Sequence, residues 1–176
     1  MRLPGLALLA AVLVVAGCAK SPAPPSAPAA GSLTVTSTDF REGGPIPAAF
    51  TCTGGGRRPA LSWTGASAPA WAIVVDDPDA PSGDFYHWVV VDLPAATTSV
   101  GDTVPAGARE LKNSAGSTGW TAPCPPSGTH HYRFTVYALK APTGLSAGTS
   151  LTDAFGRITA AATAQGRLTG LVAHAG

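Results

Sequence analysis

Residues 70–94 read AWAIVVDDPDAPSGDFYHWVVVDLP, in which two apolar, β-branched runs flank an acidic segment that contains two prolines. Valine and isoleucine favour extended backbone, and short runs bounded by proline, aspartate and glycine are typical of strands. Because both runs are almost continuously apolar, we expect two strands, AWAIVVDD at 70–77 and HWVVVDLP at 87–94. Together they predict a buried β-sheet.

The sequence on either side continues this strand pattern. HHYRFTVYALK at 130–140 alternates polar and apolar residues, as a half-buried strand does, and residues 33–38 alternate in the same way. Residues 94–126 are rich in glycine, serine, threonine, alanine and proline and show little periodicity. Such a stretch predicts a functional loop or short edge strands.

One helix is expected near the carboxyl end of the chain. Ser150 and Asp153 resemble a capping box, and Gly166 is suitable as the helix stop. The predicted apolar face has spacings of four, three and four residues and consists of Leu151, Phe155, Ile158 and Ala162. RLTGLVAHA at 167–175 then predicts a final strand. Many short strands and one late helix favour a mostly β, sandwich-like fold with a minor C-terminal helix.

Composition limits the kinds of protein that this chain can be. Its 176 residues fit one domain of ordinary size. Charged residues make up 12%, about half the usual share, and the formal net charge is +1. Because no basic stripe is present, nucleic acid is not expected as a partner. The 21 glycines and 17 prolines disfavour an all-helical protein.

The amino-terminal residues predict export and lipid attachment. Residues 1–17 combine an arginine with an apolar run too short to span a bilayer, which is typical of a signal peptide. The run leads into VAGC, which resembles a bacterial lipobox whose Cys18 becomes lipidated; an ordinary signal peptide cut elsewhere is the alternative. Residues 18–32 are interpreted as a proline- and alanine-rich tether. We therefore expect a membrane-anchored, extracytoplasmic lipoprotein of the cell envelope with its folded domain at 33–176.

The other two cysteines predict a disulfide. If Cys18 is lipidated, Cys52 and Cys124 remain and are free to pair. Two buried free thiols are the alternative. A zinc site is disfavoured because neither cysteine has a second cysteine at ligand spacing. We expect the disulfide, and we expect neither a metal nor another cofactor.

Polar residues at the strand starts point to a pocket. Strand alternation places His130 and Tyr132 on one face, and it places His87 on the face of Val89 and Val91. Imidazoles and a phenol supply convergent hydrogen-bond donors, which suit a phosphate-like anion. An aspartate that accepts from an imidazole N–H would fix the tautomer of that ring.

Several blocks, in this order along the chain, resemble the phosphatidylethanolamine-binding protein family, and more closely its bacterial Raf-kinase-inhibitor-like branch. The blocks are FREGGPIPAAFTCTGGG, PALSW, DPDAP at 77–81, HW at 87–88 and APCPPSGTHHYRFTVYAL at 122–139. The resemblance extends over nearly all of 33–176. It implies a Greek-key β-fold with a small surface cavity for phosphate-like groups.

The resemblance also implies a set of binding residues. Carried over by motif, the ligand-binding residues are Asp77, Asp79, His87, Pro125, Pro126, His130 and Tyr132. The acidic loop would then form one wall of the pocket, and its prolines would give a rigid rim. Asp76, by contrast, is interpreted as a solvated loop residue.

Three positions depart from the family pattern. His131 stands where the family usually has an arginine, Ala122 replaces a usual glycine, and Trp120 replaces a usual tyrosine. These departures concern the pocket rim and its ligand preference. His131 is expected to face away from the pocket.

The leading functional hypothesis is a lipid-anchored, non-enzymatic protein that binds a small anion or a phospholipid head group. One alternative is a regulatory protein that inhibits a protease or kinase through protein–protein contact. A hydrolase with Ser82 or Ser127 as nucleophile is the other alternative. The absence of an H-E-x-x-H motif disfavours a metal-dependent hydrolase.

Overall fold

The computed structural model describes residues 31–176, so the predicted signal peptide, Cys18 and nearly all of the predicted tether lie outside the described residues. A 3-10 turn occupies Ala48–Phe50. In chain order the strands and the helix are β1 (Gly31–Ser32), β2 (Thr34–Thr36), β3 (Gly44–Pro45), β4 (Leu61–Thr64), β5 (Ala70–Asp77), β6 (Phe85–Pro94), β7 (Ser99–Val100), β8 (Arg109–Glu110), β9 (Thr129–Leu139), α1 (Leu151–Ala161) and β10 (Ala162–Ala173).

The strands form two sheets. In the larger sheet the order is β1-β10-β9-β5-β6-β8, and β3 also pairs with β10. The long strands β10, β9, β5 and β6 pair with one another in antiparallel fashion, whereas β1 and β3 run parallel to β10. The smaller sheet has the order β2-β4-β7. The predicted mostly β fold with one late helix is confirmed, and the stretch at 94–126 contains the short edge strands β7 and β8.

The central strand β5 is buried at all eight positions because the large sheet is covered on both faces. Ile73 belongs to an apolar core that it shares with Trp63 of the small sheet. Its neighbour Val74 belongs to a second core, which it shares with Ile158 of α1. Successive residues of a strand point to opposite faces, so a continuous apolar run supplies both cores at once.

The helix begins as predicted and ends earlier than predicted. The Ser150 side chain accepts a hydrogen bond from the Asp153 amide at 3.1 Å, as an N-cap does. Helix α1 ends at Ala161 because the chain pairs with β9 from Ala162 onward. The interpretation of Gly166 as the helix stop is wrong. It lies within β10, where a Cβ atom would be 2.3 Å from the carbonyl oxygen of Leu33.

A disulfide joins the two chain segments next to the site described below. Cys52 and Cys124 are bonded, with their Cα atoms 5.4 Å apart and a sequence separation of 72. The predicted disulfide is confirmed. No helix within residues 31–176 is long and apolar enough to cross a membrane.

Candidate functional site

A cavity of about 310 Å³ lies where β5 ends and where β6 and β9 begin. These strands are neighbours in the large sheet, so residues distant in sequence meet at this edge. The lining contains neither lysine nor arginine and consists of Asp77, Ala80, Pro81, Phe85, His87, Thr121, Ala122, Cys124, Pro126, His130 and Tyr132. The cavity is therefore a small, mostly apolar pocket with a few polar groups.

Asp77 holds the imidazole of His130. The Asp77 carboxylate lies 2.7 Å from Nδ1 of His130, and both side chains are buried. The other carboxylate oxygen accepts from the backbone amide of Asp79 at 2.8 Å, so Asp77 is itself fixed by the turn that follows it. Because a carboxylate only accepts, Nδ1 of His130 donates and Nε2 is the remaining ring nitrogen.

His87 is held by the backbone of Thr121. Nδ1 of His87 lies 2.8 Å from the Thr121 carbonyl oxygen, and the Thr121 amide donates to the His87 carbonyl at 2.9 Å. A carbonyl accepts only, so Nδ1 carries the proton. Burial lowers the pKa of His87 below its ordinary value of 6.5. At neutral pH this imidazole is therefore neutral, and its Nε2 is an acceptor.

A β-bulge turns His87 toward the pocket. Val75 pairs with Trp88 and Asp76 pairs with Tyr86, so β6 contains one extra residue at His87. The prediction that His87 shares a face with Val89 and Val91 is wrong. Those valines belong to the core on the helix side, whereas the His87 ring lies 5.1 Å from the Tyr132 ring on the other side. Bulges next to functional sites commonly redirect one side chain in this way.

Tyr132 supplies a phenol to the same pocket. Burial, together with the negative charge of Asp77, raises the pKa of Tyr132 far above its ordinary value. The hydroxyl therefore keeps its proton and can donate a hydrogen bond. Phe85 completes the aromatic wall, with its ring centre 4.8 Å from that of His87.

Two of the seven expected binding residues do not line the cavity. The Asp79 carboxylate accepts from the backbone amide and from Nδ1 of His131, both at 2.7 Å. These hydrogen bonds lower the pKa of Asp79. Pro125 lines a neighbouring hollow of about 190 Å³. The other five residues come together in the cavity: Asp77, His87, Pro126, His130 and Tyr132.

The departures from the family pattern lie at different distances from the pocket. Ala122 is part of the lining. The Trp120 ring lies 6.4 Å from the His87 ring, and its Nε1 donates to the Gly56 carbonyl at 3.0 Å. His131 is bonded to Asp79 and is absent from the lining, which agrees with the expectation that it faces away.

A buried asparagine supports the Thr121 segment and gave no signal in the sequence. The Asn113 amide nitrogen donates to the Gly119 carbonyl at 3.0 Å and to the Thr121 hydroxyl at 2.8 Å. Its Oδ1 accepts from the backbone amides of Ala115 and Ser117. All four contacts are with one loop, so Asn113 fixes the backbone that holds His87.

The residues that a serine hydrolase or a metal site would need do not come together around this cavity. Ser82 and Ser127 are both exposed and are not among the lining residues. Within residues 31–176, no three His, Cys, Asp or Glu side chains come together in a way that could hold a metal ion.

Comparisons with known proteins identify the family. Residues 36–173 match the family described as phosphatidylethanolamine-binding protein. The UPF0098 protein Mb1945c of Mycobacterium bovis is 45% identical over 150 residues, which cover 83% of this chain and 73% of that protein. A Mycobacterium tuberculosis protein named "Putative lipoprotein LppC" is 44% identical over 148 residues, which cover 82% of this chain and 74% of the relative.

A solved structure agrees with this assignment. Escherichia coli YbcL, described as a new member of the mammalian PEBP family, superposes with a TM-score of 0.77 at 30% sequence identity. The match covers 81% of this chain and 99% of the YbcL chain. The chain therefore belongs to the phosphatidylethanolamine-binding protein family, in the branch that contains YbcL.

Proposed function

We propose that this protein is a non-enzymatic binding protein that recognises a phosphate-like anion, either free or as a phosphorylated head group. The supporting observation is the convergence of two imidazoles and a phenol in one cavity. His87, His130 and Tyr132 come from two strands and all line the pocket. A volume of about 310 Å³ is at the small end for ligand pockets, so it suits a compact group such as phosphate.

The pocket is also prepared before a ligand arrives. His130 is held by Asp77, and His87 is held by the Thr121 carbonyl, so neither ring has to be ordered on binding. The prolines of the lining, Pro81 and Pro126, add rigidity to the rim. A site that is ordered in advance loses less conformational entropy when it binds.

The same proposal places the protein at the cell envelope, attached to the membrane by a lipid on Cys18. The VAGC motif supports the anchor, and so does the description of one relative, LppC, as a lipoprotein. The disulfide between Cys52 and Cys124 supports an oxidising compartment outside the cytoplasm. Cys18→Ala should move the protein from the membrane fraction to the soluble fraction; retention in the membrane would contradict lipid anchoring.

Calorimetric titration of the purified full chain with inorganic phosphate tests the binding proposal. The wild-type chain should bind, and His130→Ala should weaken binding by tenfold or more, since a hydrogen bond to a charged group contributes roughly 1.5–3 kcal/mol. His131→Ala is the matched control, because the neighbouring histidine is bonded to Asp79 outside the cavity. No heat of binding at millimolar phosphate, or equal losses in both variants, would contradict the proposal.

A further inference from the structure

The two imidazoles of the pocket expose the same ring atom to a ligand. Nδ1 of His87 and Nδ1 of His130 are both used by protein acceptors, the Thr121 carbonyl and the Asp77 carboxylate. Among the residues that the structure describes, neither Nε2 forms a hydrogen bond to protein, and neither is a buried atom without a partner. Each Nε2 is therefore open to the cavity that its ring lines.

The charges around these rings are mostly negative. Asp77 lines the pocket, the charge of Asp76 also acts on His87, and that of Asp79 lies near His130. Tyr132 keeps its proton. With neither lysine nor arginine in the lining, the pocket has no permanent positive charge of its own.

An anion that can only accept hydrogen bonds fits His87 poorly. The neutral ring presents the lone pair of Nε2, and an oxygen of sulfate would face it with another lone pair. An anion with a hydroxyl group has no such conflict, because its O–H can donate to Nε2. The Tyr132 hydroxyl can then donate to another oxygen of the same anion.

We propose that the pocket selects anions that carry their own proton, such as dihydrogen phosphate or the monoanion of a phosphate monoester, over acceptor-only anions such as sulfate. His87 is the specificity-determining residue, and its Nε2 accepts the hydrogen bond from the P–O–H group. This inference rests on the proposed function, since it concerns the ligand of the same site. It adds a chemical class of ligand and the residue that recognises it.

The expected ratio of affinities for the two classes of anion follows from the cost of a missing hydrogen bond. When a buried acceptor such as Nε2 of His87 faces a charged oxygen of the anion without a hydrogen bond, the affinity for that anion falls by about tenfold to a hundredfold. The monoanion of a phosphate monoester loses its proton near pH 6, so its binding should weaken above that pH. Sulfate carries no proton at these pH values, so it should bind only as His87 becomes protonated.

The test is a calorimetric comparison of inorganic phosphate and sodium sulfate with the purified full chain at about pH 6 and about pH 8. We expect phosphate to bind at least about tenfold more tightly than sulfate at both pH values, because hydrogen phosphate still carries one hydroxyl at the higher pH. Equal affinities for the two anions would overturn the selection while leaving anion binding intact. Binding of neither anion would overturn the proposed function as well.

Substitution of His87 tests whether this residue is responsible for the preference for phosphate over sulfate. The amide of His87→Gln can donate as well as accept, so sulfate should bind this variant within about threefold of phosphate. His87→Asn is a second variant with the same chemistry, and an unfolding curve shows whether each is folded. An undiminished preference for phosphate in a folded variant would overturn the role of His87. The pH series on the wild-type chain tests the selection without any substitution.

Discussion

The carboxylate of Asp77 and Nδ1 of His130 lie 2.7 Å apart, although the two residues are 53 positions apart in sequence. Both side chains are buried at the edge of the large sheet. The contact leaves Nε2 of His130 to face the pocket and ties the loop after β5 to the start of β9. One aspartate thus contributes both to the fold and to the proposed binding chemistry.

Asp77→Ala should destabilise the protein more than Asp79→Ala. The first change leaves the buried Nδ1–H of His130 without a partner, which costs about 1–3 kcal/mol of unfolding free energy. The Asp79 side chain is 40% exposed, and its pair with His131 should contribute less than about 1 kcal/mol. Urea unfolding measures both, and equal losses would contradict the assignment. Asp79→Ala should also leave the phosphate dissociation constant within about twofold.

His87 should make stability depend on pH. Because burial lowers the pKa of folded His87, the unfolded chain binds more protons below about pH 6.5, and the free energy of unfolding falls as the solution is acidified. One histidine contributes a slope of at most about 1.4 kcal/mol per pH unit. Urea unfolding at several pH values should show a shallower slope for His87→Gln than for His131→Gln. The same slope in both variants would count against a buried neutral His87.

Asn113→Ala should loosen the loop that holds His87. The change removes two donors and one shared acceptor from a side chain that is 4% exposed, so we expect a loss of about 2–3 kcal/mol in unfolding free energy. Phosphate binding should weaken in parallel because the Thr121 carbonyl is no longer fixed. Asn113→Asp is the second variant, which keeps an oxygen that can accept from the loop amides but loses the nitrogen that donates to Gly119 and Thr121. A phosphate affinity unchanged in both variants would show that Asn113 supports the fold without positioning His87.

Removal of the disulfide should lower stability. A crosslink that joins residues 72 apart typically contributes about 2–4 kcal/mol, chiefly by restricting the unfolded chain. The double variant Cys52→Ala, Cys124→Ala should unfold at a correspondingly lower urea concentration, and reductant should give the wild-type chain the same midpoint. A midpoint that is insensitive to reductant would mean that the bond does not form in solution.

Local sequence patterns were sufficient to predict the main elements of the fold. The continuous apolar run at 70–77 predicted a buried strand, and β5 is buried on both faces. The residue alternation at 130–140 predicted the faces of β9, on which Tyr132 is buried. Ser150 predicted the start of α1. In each case the deciding interaction lies within the segment or on one face of it, where composition and spacing are informative.

Contacts between distant segments were not predictable in this way. The bulge that turns His87 depends on how β6 pairs with β5. The alternation of side chains along a strand, which repeats every two residues, does not indicate where such a bulge occurs. The interpretation of Asp76 as a solvated loop residue is wrong. Asp76 is 5% exposed, and its carboxylate is bonded to Arg133, a partner 57 positions away. The sequence wrongly predicts Gly166 as a helix stop because the close approach of Leu33 leaves no local pattern.

The most direct test of the binding site is an NMR titration of the four histidine rings with inorganic phosphate. Nε2 resonances of His87 and His130 should shift and saturate together, because both atoms are open to the same cavity. His131, bonded to Asp79, and His174, bonded to the Pro125 carbonyl, should not follow them. If the rings of His87 and His130 do not respond to millimolar phosphate, or if all four shift alike, the pocket is not the anion site.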